Sequence, residues 1–272
     1  MIILDENWKS SIHLDNNKIM KIYHDIDEET LVGHYNLLKY LSTLIKIPQI
    51  YGYEYKDREG TIMMEFIDGK NADISDSDTI KHDLLLLKKN INPAIGNHLT
   101  GEITDSLFMD PNLPKIHSMK QLISEKLKCD IQRVKNIDTE IYELLLKHQK
   151  WIISIDFKDE PNELVHNDVN FRNIIKRDNE LYYIDWDLSG FYPDTYVQMK
   201  HYACKQDIYK AELNEDYRIL VKLFKQLQRY QAKCLSELSI IHINKKLKEM
   251  LSNICPVCGK EMTVSEGACS CE

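Results

Sequence analysis

Glycine is scarce at the front of this chain: nine occur in 272 residues, and none precedes Gly33. A loop within that opening stretch cannot wrap its amides around an anion as freely as a glycine-rich one. Long apolar runs are missing too, which excludes a membrane-spanning helix. The start, Met1-Ile2-Ile3-Leu4-Asp5, is too short and too acidic for a signal peptide, so a cytoplasmic protein without membrane contact is expected. Positive charge is in deficit, 35 Lys and Arg against 43 Asp and Glu, net −8. That balance argues against a nucleic-acid footprint but tolerates a polycationic small substrate. Cysteine is sparse until the end, where four of seven fall in the last eighteen residues, which points to a local metal site rather than a disulfide framework.

What is present is ordinary in bulk: 43% hydrophobic and 29% charged, in a chain long enough for one large domain or two lobes. The chemistry concentrates in Val165 to Ile175, which contains His166-Asn167-Asp168 and Asn173, and in Tyr183-Ile184-Asp185-Trp186-Asp187. Asp168 sits in a short polar loop between apolar runs, suited to accept the proton of an attacking hydroxyl. Asn173, five residues on, offers a neutral oxygen to a hard cation. Leu181 to Ile184 reads as a strand paired with Asn173 to Ile175 across the turn Arg177 to Glu180, and it delivers Asp185 at its end. That carboxylate completes a Mg²⁺ site with Asn173, the ion bridging ATP phosphates. Any one of these residues alone is more often a cap or a solvated loop residue; the joint pattern is what points to phosphoryl transfer.

On these motifs the sequence resembles the aminoglycoside phosphotransferase and choline kinase superfamily, from about Leu4 to about residue 250. The resemblance implies an α+β, two-lobed protein-kinase-like fold: a nucleotide-binding lobe over 1–67, mainly antiparallel β, and a helical catalytic and acceptor-binding lobe over 68–250. It implies Asp168 as catalytic base and Asn173 and Asp185 as Mg²⁺ ligands. Lys21, which alternates with Met20 and Ile22 and so faces away from the packed side of its strand, becomes the lysine that holds the ATP phosphates. The loop Asp5 to Ser10 would cover those phosphates; lacking glycine, it offers Ser10 and Ser11 as hydroxyl donors. Adenine would pair with backbone near Glu65 and Ile67, with Met64 behind it. The helix read over Glu28 to Ser42 should carry a glutamate paired to the lysine, but His34 stands at that position, leaving Glu28 or Glu29 to reach Lys21 or some other group to hold it.

Farther on, Asp78 to Lys89 reads as a helix buried all round through Leu84-Leu85-Leu86-Leu87 and capped by Ser75 or Ser77. Ile91 to Pro114 reads as an irregular connection. Helices are expected over Met119 to Val134, Thr139 to Ile155, Val197 to Lys210, Glu215 to Lys233 and Leu235 to Leu251. Asp187, and more weakly Asp194, Glu212 and Glu215, offer carboxylates to an amine-bearing acceptor, while Tyr192, Tyr196 and Tyr202 offer rings to a quaternary ammonium.

In the tail 251–272, Cys255-Pro256-Val257-Cys258-Gly259 reads as a metal knuckle, and Cys269 with Cys271 supplies a second thiolate pair. A four-cysteine Zn²⁺ site of zinc-ribbon type follows, structural or partner-binding in role. The expected activity is transfer of the ATP γ-phosphate to a hydroxyl of a small molecule, an amino alcohol or aminoglycoside. The alternative is a catalytically weak kinase-fold protein that binds nucleotide and recruits a protein partner through its cysteine tail.

Overall fold

The structure, a computed structural model, describes residues 2–104, 107–204, 208, 212–231, 237–260 and 262. It has the expected α+β composition, and its contacts divide it into two compact units. One comprises Met1–Ile91, His98–Thr100 and Glu163–Gly190; the other comprises Asn92–Asn97, Gly101–Asn162 and the described residues of Phe191–Glu272.

The first unit is built on a five-stranded sheet of β1 (Ile2–Glu6), β2 (Ser10–Asp15), β3 (Lys18–His24), β4 (Ile50–Lys56) and β5 (Glu59–Glu65), in the order β1-β2-β3-β5-β4. Every pairing in it is antiparallel. Two-residue turns set the registers. Asn16-Asn17 and Asp57-Arg58 both take positive φ, the conformation whose twist matches a tight hairpin. The helix α1 (Glu28–Leu41) starts where the Asp27 carboxylate accepts the Thr30 amide, and it buries Leu31 and Leu41. It lies against β4 and β5.

A second sheet places β7 (Ile174–Arg177) between β6 (Lys70–Asn71) and β8 (Glu180–Tyr183). The turn Asp178-Asn179, again with both residues at positive φ, closes β7 on β8, as the residue pattern predicts. Between β6 and β7 lies α2 (Ser77–Leu85), and here two expectations are corrected. No side chain caps it; the 3₁₀ turn Ile74–Asp76 just before it is closed by Asp73, which accepts the Ser75 amide, and by Asp76, which accepts the Asp73 amide. A 3₁₀ turn over Leu86–Lys89 follows the helix. Leu84 and Leu87 are buried while Leu85 is 55% and Leu86 39% exposed, because only residues three apart share the packed side.

The second unit carries α3 (Met119–Lys135), α4 (Thr139–Ser154), α5 (Asp194–Cys204), α6 (Glu215–Leu227) and α7 (Glu237–Ser252). Ser118, Asp138 and Asn214 cap α3, α4 and α6 by accepting amides of the first turn. Inside, Lys126 donates to both oxygens of Asp130 at 2.6 Å, and Arg133 spans Asp130 and Asp110, so each buried charge has opposite charges beside it. Tyr192 and Tyr196 stack at 4.3 Å and are wholly buried, so they are core residues rather than rings offered to a ligand. No described helix is long and apolar enough to cross a membrane.

In the tail, Cys255 to Gly259 form a tight turn. The Gly259 amide donates to the Cys255 carbonyl at 2.9 Å and the Val257 amide points at Cys255 Sγ at 3.4 Å, with Gly259 at φ +74°. A Cβ on Gly259 would stand 2.0 Å from the Trp151 indole, so the turn lies directly on α4. Cys269 and Cys271 lie outside the described residues, and the zinc-ribbon form is not seen.

Candidate active site: a mostly apolar cavity lined by a lysine and two aspartates

Lys21, Met64, Glu65, Ile67, Asp168, Asn173, Asp185 and Asp187 all belong to the first unit. Its cavity, about 250 Å³, is lined by apolar side chains of the five-stranded sheet, including Ile12, Ile19, Ile50 and Met64, and continues over Ile67 and Ile175. Lys21, Asp185 and Asp187 stand at its polar end. Glu65 also lines it, held in place by Arg177 at 2.8 Å and by the Gln49 amide at 3.3 Å. A mostly apolar cavity with a few charged groups in its lining is the usual make-up of a small-molecule site.

Two of the expected contacts are absent from that lining. Ser10 is bound into the β1–β2 turn, where Asn7 Oδ1 accepts the amides of Lys9 and Ser10 at 2.8 and 3.1 Å. Ser11 is buried on β2 opposite Ile22. Neither lines the cavity.

The loop around Asp168 is organised by His166. His166 Nε2 lies 2.8 Å from the Ile184 carbonyl, and its Nδ1 accepts the Asp168 amide at 3.3 Å. One ring thus ties the base loop to the strand end that carries Asp185, and burial lowers its pKa, keeping it neutral. Asn173 donates from Nδ2 to both the carbonyl of Asp168, at 3.0 Å, and its carboxylate, at 2.8 Å. That pairing orients the carboxamide and turns Oδ1 the other way. Asp185 takes φ +61° at the end of β8, and its carboxylate is half exposed. Among the described residues no three His, Cys, Asp or Glu form a metal-holding group. The donors present are a carboxylate and a carboxamide, a hard-oxygen pair that fits Mg²⁺ completed by phosphate oxygens and water.

Lys21 is where the structure adds most. Strand alternation puts it on the cavity side of β3 together with Tyr23, so it is buried rather than turned away from packing. Its ammonium reaches Asp185 Oδ1 and Asp187 Oδ2, both at 2.8 Å. The Tyr23 hydroxyl donates to the other oxygen of Asp187 at 3.0 Å. Burial opposes the charge on Lys21, but Tyr23, Asp187 and Asp185 outweigh it and raise its pKa. Burial likewise works against the charge of Asp187, and Lys21 and His34 hold its pKa down all the same.

Glu28 and Glu29 are both exposed at the start of α1 and make no contact with Lys21. His34 instead stacks on Tyr23 with ring centres 5.4 Å apart, and burial pushes its pKa down to about 4. His98 meets His34 edge-on at 5.5 Å; its Nδ1 lies 3.0 Å from the Ser189 carbonyl, while its buried Nε2 has no partner. Tyr23 was legible in principle, two residues from Lys21 on one strand. His98, in an irregular connection, carried no local signal.

No protein-family model matches the sequence, and no curated protein matches it. Solved structures do resemble it. A protein described as a fructosamine-3-kinase, from Haemophilus somnus, aligns over 92% of this chain and 90% of its own, with TM-score 0.57 and 16% identity. A thermostable mutant of the aminoglycoside phosphotransferase APH(4)-Ia, in a ternary complex with ADP and hygromycin B, covers 92% of both chains at TM-score 0.56 and 11% identity. The amicoumacin kinase hAmiN, in complex with AMP-PNP, Ca²⁺ and Ami, covers 94% of this chain and 89% of its own at TM-score 0.51 and 13% identity. At such identities the shared property is the fold: this chain has the α+β fold of these solved structures.

Proposed function

We propose that the protein is an ATP- and Mg²⁺-dependent kinase that transfers the γ-phosphate to a hydroxyl of a small molecule, of the amino alcohol or aminoglycoside class. The observation that supports this reading is the Lys21–Asp185 pair in the lining of a mostly apolar cavity, with Asp168 and Asn173 hydrogen-bonded to each other in the loop whose Asn173 carbonyl accepts the Ile184 amide next to Asp185. Asp168 orients and deprotonates the acceptor hydroxyl, its carboxylate steered by the Asn173 amide. Lys21 steadies the phosphates. Met64 and the backbone at Glu65 and Ile67 receive the adenine, and Asn173 Oδ1 with the Asp185 carboxylate holds Mg²⁺. When bound, that ion supplies charge neutralisation on the phosphates. The likeness to small-molecule kinases crystallised with ADP or AMP-PNP supports the nucleotide and the acceptor class. The test is ADP release from ATP and Mg²⁺ over a panel of choline, ethanolamine, homoserine and aminoglycosides. Acceptor-dependent release that disappears in Asp168→Ala and Asp185→Ala, both still folded by circular dichroism, is the expected result. Turnover in either variant at the wild-type rate refutes these roles.

For the tail we propose a structural Zn²⁺ held by Cys255, Cys258, Cys269 and Cys271. The supporting observation is the Cys255 turn, in which the backbone amides of Cys258 and Val257 lower the Cys255 pKa and favour its thiolate. Elemental analysis of purified protein should find about one zinc per chain, lost on Cys255→Ser with Cys258→Ser. Zinc-free protein with an unchanged unfolding midpoint contradicts the site.

A further inference from the structure

Lys21 is one of the few buried cations in the first unit, and both of its carboxylate partners come from the single turn after β8. The two partners are not equivalent. Asp185 is half exposed at the cavity's polar end and, on the kinase reading above, is claimed by Mg²⁺. A cation on that carboxylate competes with the lysine ammonium for its negative charge, so the ammonium keeps its place at lowest cost with a second anion beside it. A buried ammonium left without an anion is costly.

Asp187 removes that cost. It already stands 2.8 Å from Nζ on one oxygen, and its other oxygen is fixed by the Tyr23 hydroxyl at 3.0 Å. Tyr23 is itself held flat against His34, with only 9° between the ring planes. The helix α1, whose His34 faces this cluster, places no carboxylate on it. Among the described residues, the acidic partners of Lys21 in hydrogen bonds and ion pairs are Asp185 and Asp187.

We propose that Asp187 is the standing anchor of Lys21, a positioning residue braced by Tyr23, and that it frees Asp185 to exchange the lysine for the metal ion. Lys21 thus stays aimed at the phosphates throughout, held by the metal-binding turn itself rather than by α1. The assignment rests on the kinase reading, and it moves Asp187 from acceptor binding to nucleotide and metal handling.

The experiment is calorimetric titration of AMP-PNP at a series of MgCl₂ concentrations, for wild type and for D187N, D187E, Y23F and the double variant D187N/H34E. In D187N the lysine has only Asp185, so the Mg²⁺ concentration giving half-maximal AMP-PNP affinity should rise about tenfold, the scale of one charge-assisted hydrogen bond. Y23F should shift it the same way by about threefold. D187E, and D187N/H34E with a carboxylate supplied from α1 at the His34 position, should bring it back toward wild type. A merely structural role for Asp187 would not respond to a carboxylate placed on a different element. D187N or Y23F with the wild-type Mg²⁺ dependence overturns the proposal, and Y23F carries the test alone if D187N fails to fold. Wild-type protein that binds no AMP-PNP at any Mg²⁺ concentration overturns the kinase reading and the anchor together.

Discussion

His34 is the residue whose environment makes the sharpest solution prediction. Burial holds its pKa near 4 in the folded chain, and His98 and His166 are lowered by burial as well. On unfolding each returns toward the ordinary value of about 6.5. Between those two values the unfolded chain binds more protons, so stability rises with pH across this window and drains away as pH falls from 7 toward 4. The groups facing His34 are Asp187, whose charge favours its protonation, and Lys21 and His98, which oppose it. His34→Gln should therefore flatten the dependence, removing roughly 1–3 kcal/mol of the loss between pH 7 and pH 5. Urea unfolding at the two pH values measures it, and parallel losses in variant and wild type contradict it. The local placement of Asp168, Asn173 and Asp185, in a loop and at the ends of a hairpin, was legible in the sequence because each stands at a fixed offset from a strand or turn with its own signal. The partner of Lys21 was not, since Asp187 and Lys21 are separated by most of the chain and meet only through packing.

Elements were legible where their pattern is local. The hairpins announce themselves through Asn16-Asn17, Asp57-Arg58 and Asp178-Asn179, residues that tolerate positive φ or sit at tips. The capped helices α1, α3 and α4 end within a residue or two of their expected bounds. The run Leu84 to Leu87 misled because hydrophobicity alone does not say which side of a short helix meets the core. Lys21 misled in the opposite sense: strand alternation separates two faces but does not say that both are covered. Close approaches between elements were invisible until the chain folded. A Cβ on Gly69 would lie 2.5 Å from the Lys176 carbonyl oxygen, so Gly69→Ala must push β7 away from the segment leading into β6. The expected cost is about 1–3 kcal/mol, read as a lowered midpoint in urea; an unchanged midpoint would show that the two backbones part freely.

For the whole molecule, the chain combines a sheet-based unit that contains the cavity and its charged floor with a second unit built on α3 to α7. A ligand that binds only the folded chain raises its stability by mass action. AMP-PNP with Mg²⁺ at about a hundred times its dissociation constant should add about 2.7 kcal/mol, raising the thermal midpoint by roughly 5–10 °C, and Asp185→Ala should abolish the Mg²⁺-dependent part. The net charge of −8 is consistent with an amine-bearing acceptor without specifying one.

The central claim is that Asn173 and Asp185 converge on one cation beside Asp168. A crystal grown with AMP-PNP and Mn²⁺ in place of Mg²⁺ tests it most directly, through the anomalous signal of the metal. The account predicts one strong peak about 2.0–2.4 Å from both Asn173 Oδ1 and an Asp185 oxygen, with phosphate oxygens completing the shell. A peak that misses either side chain, or nucleotide bound with no metal between them, contradicts it.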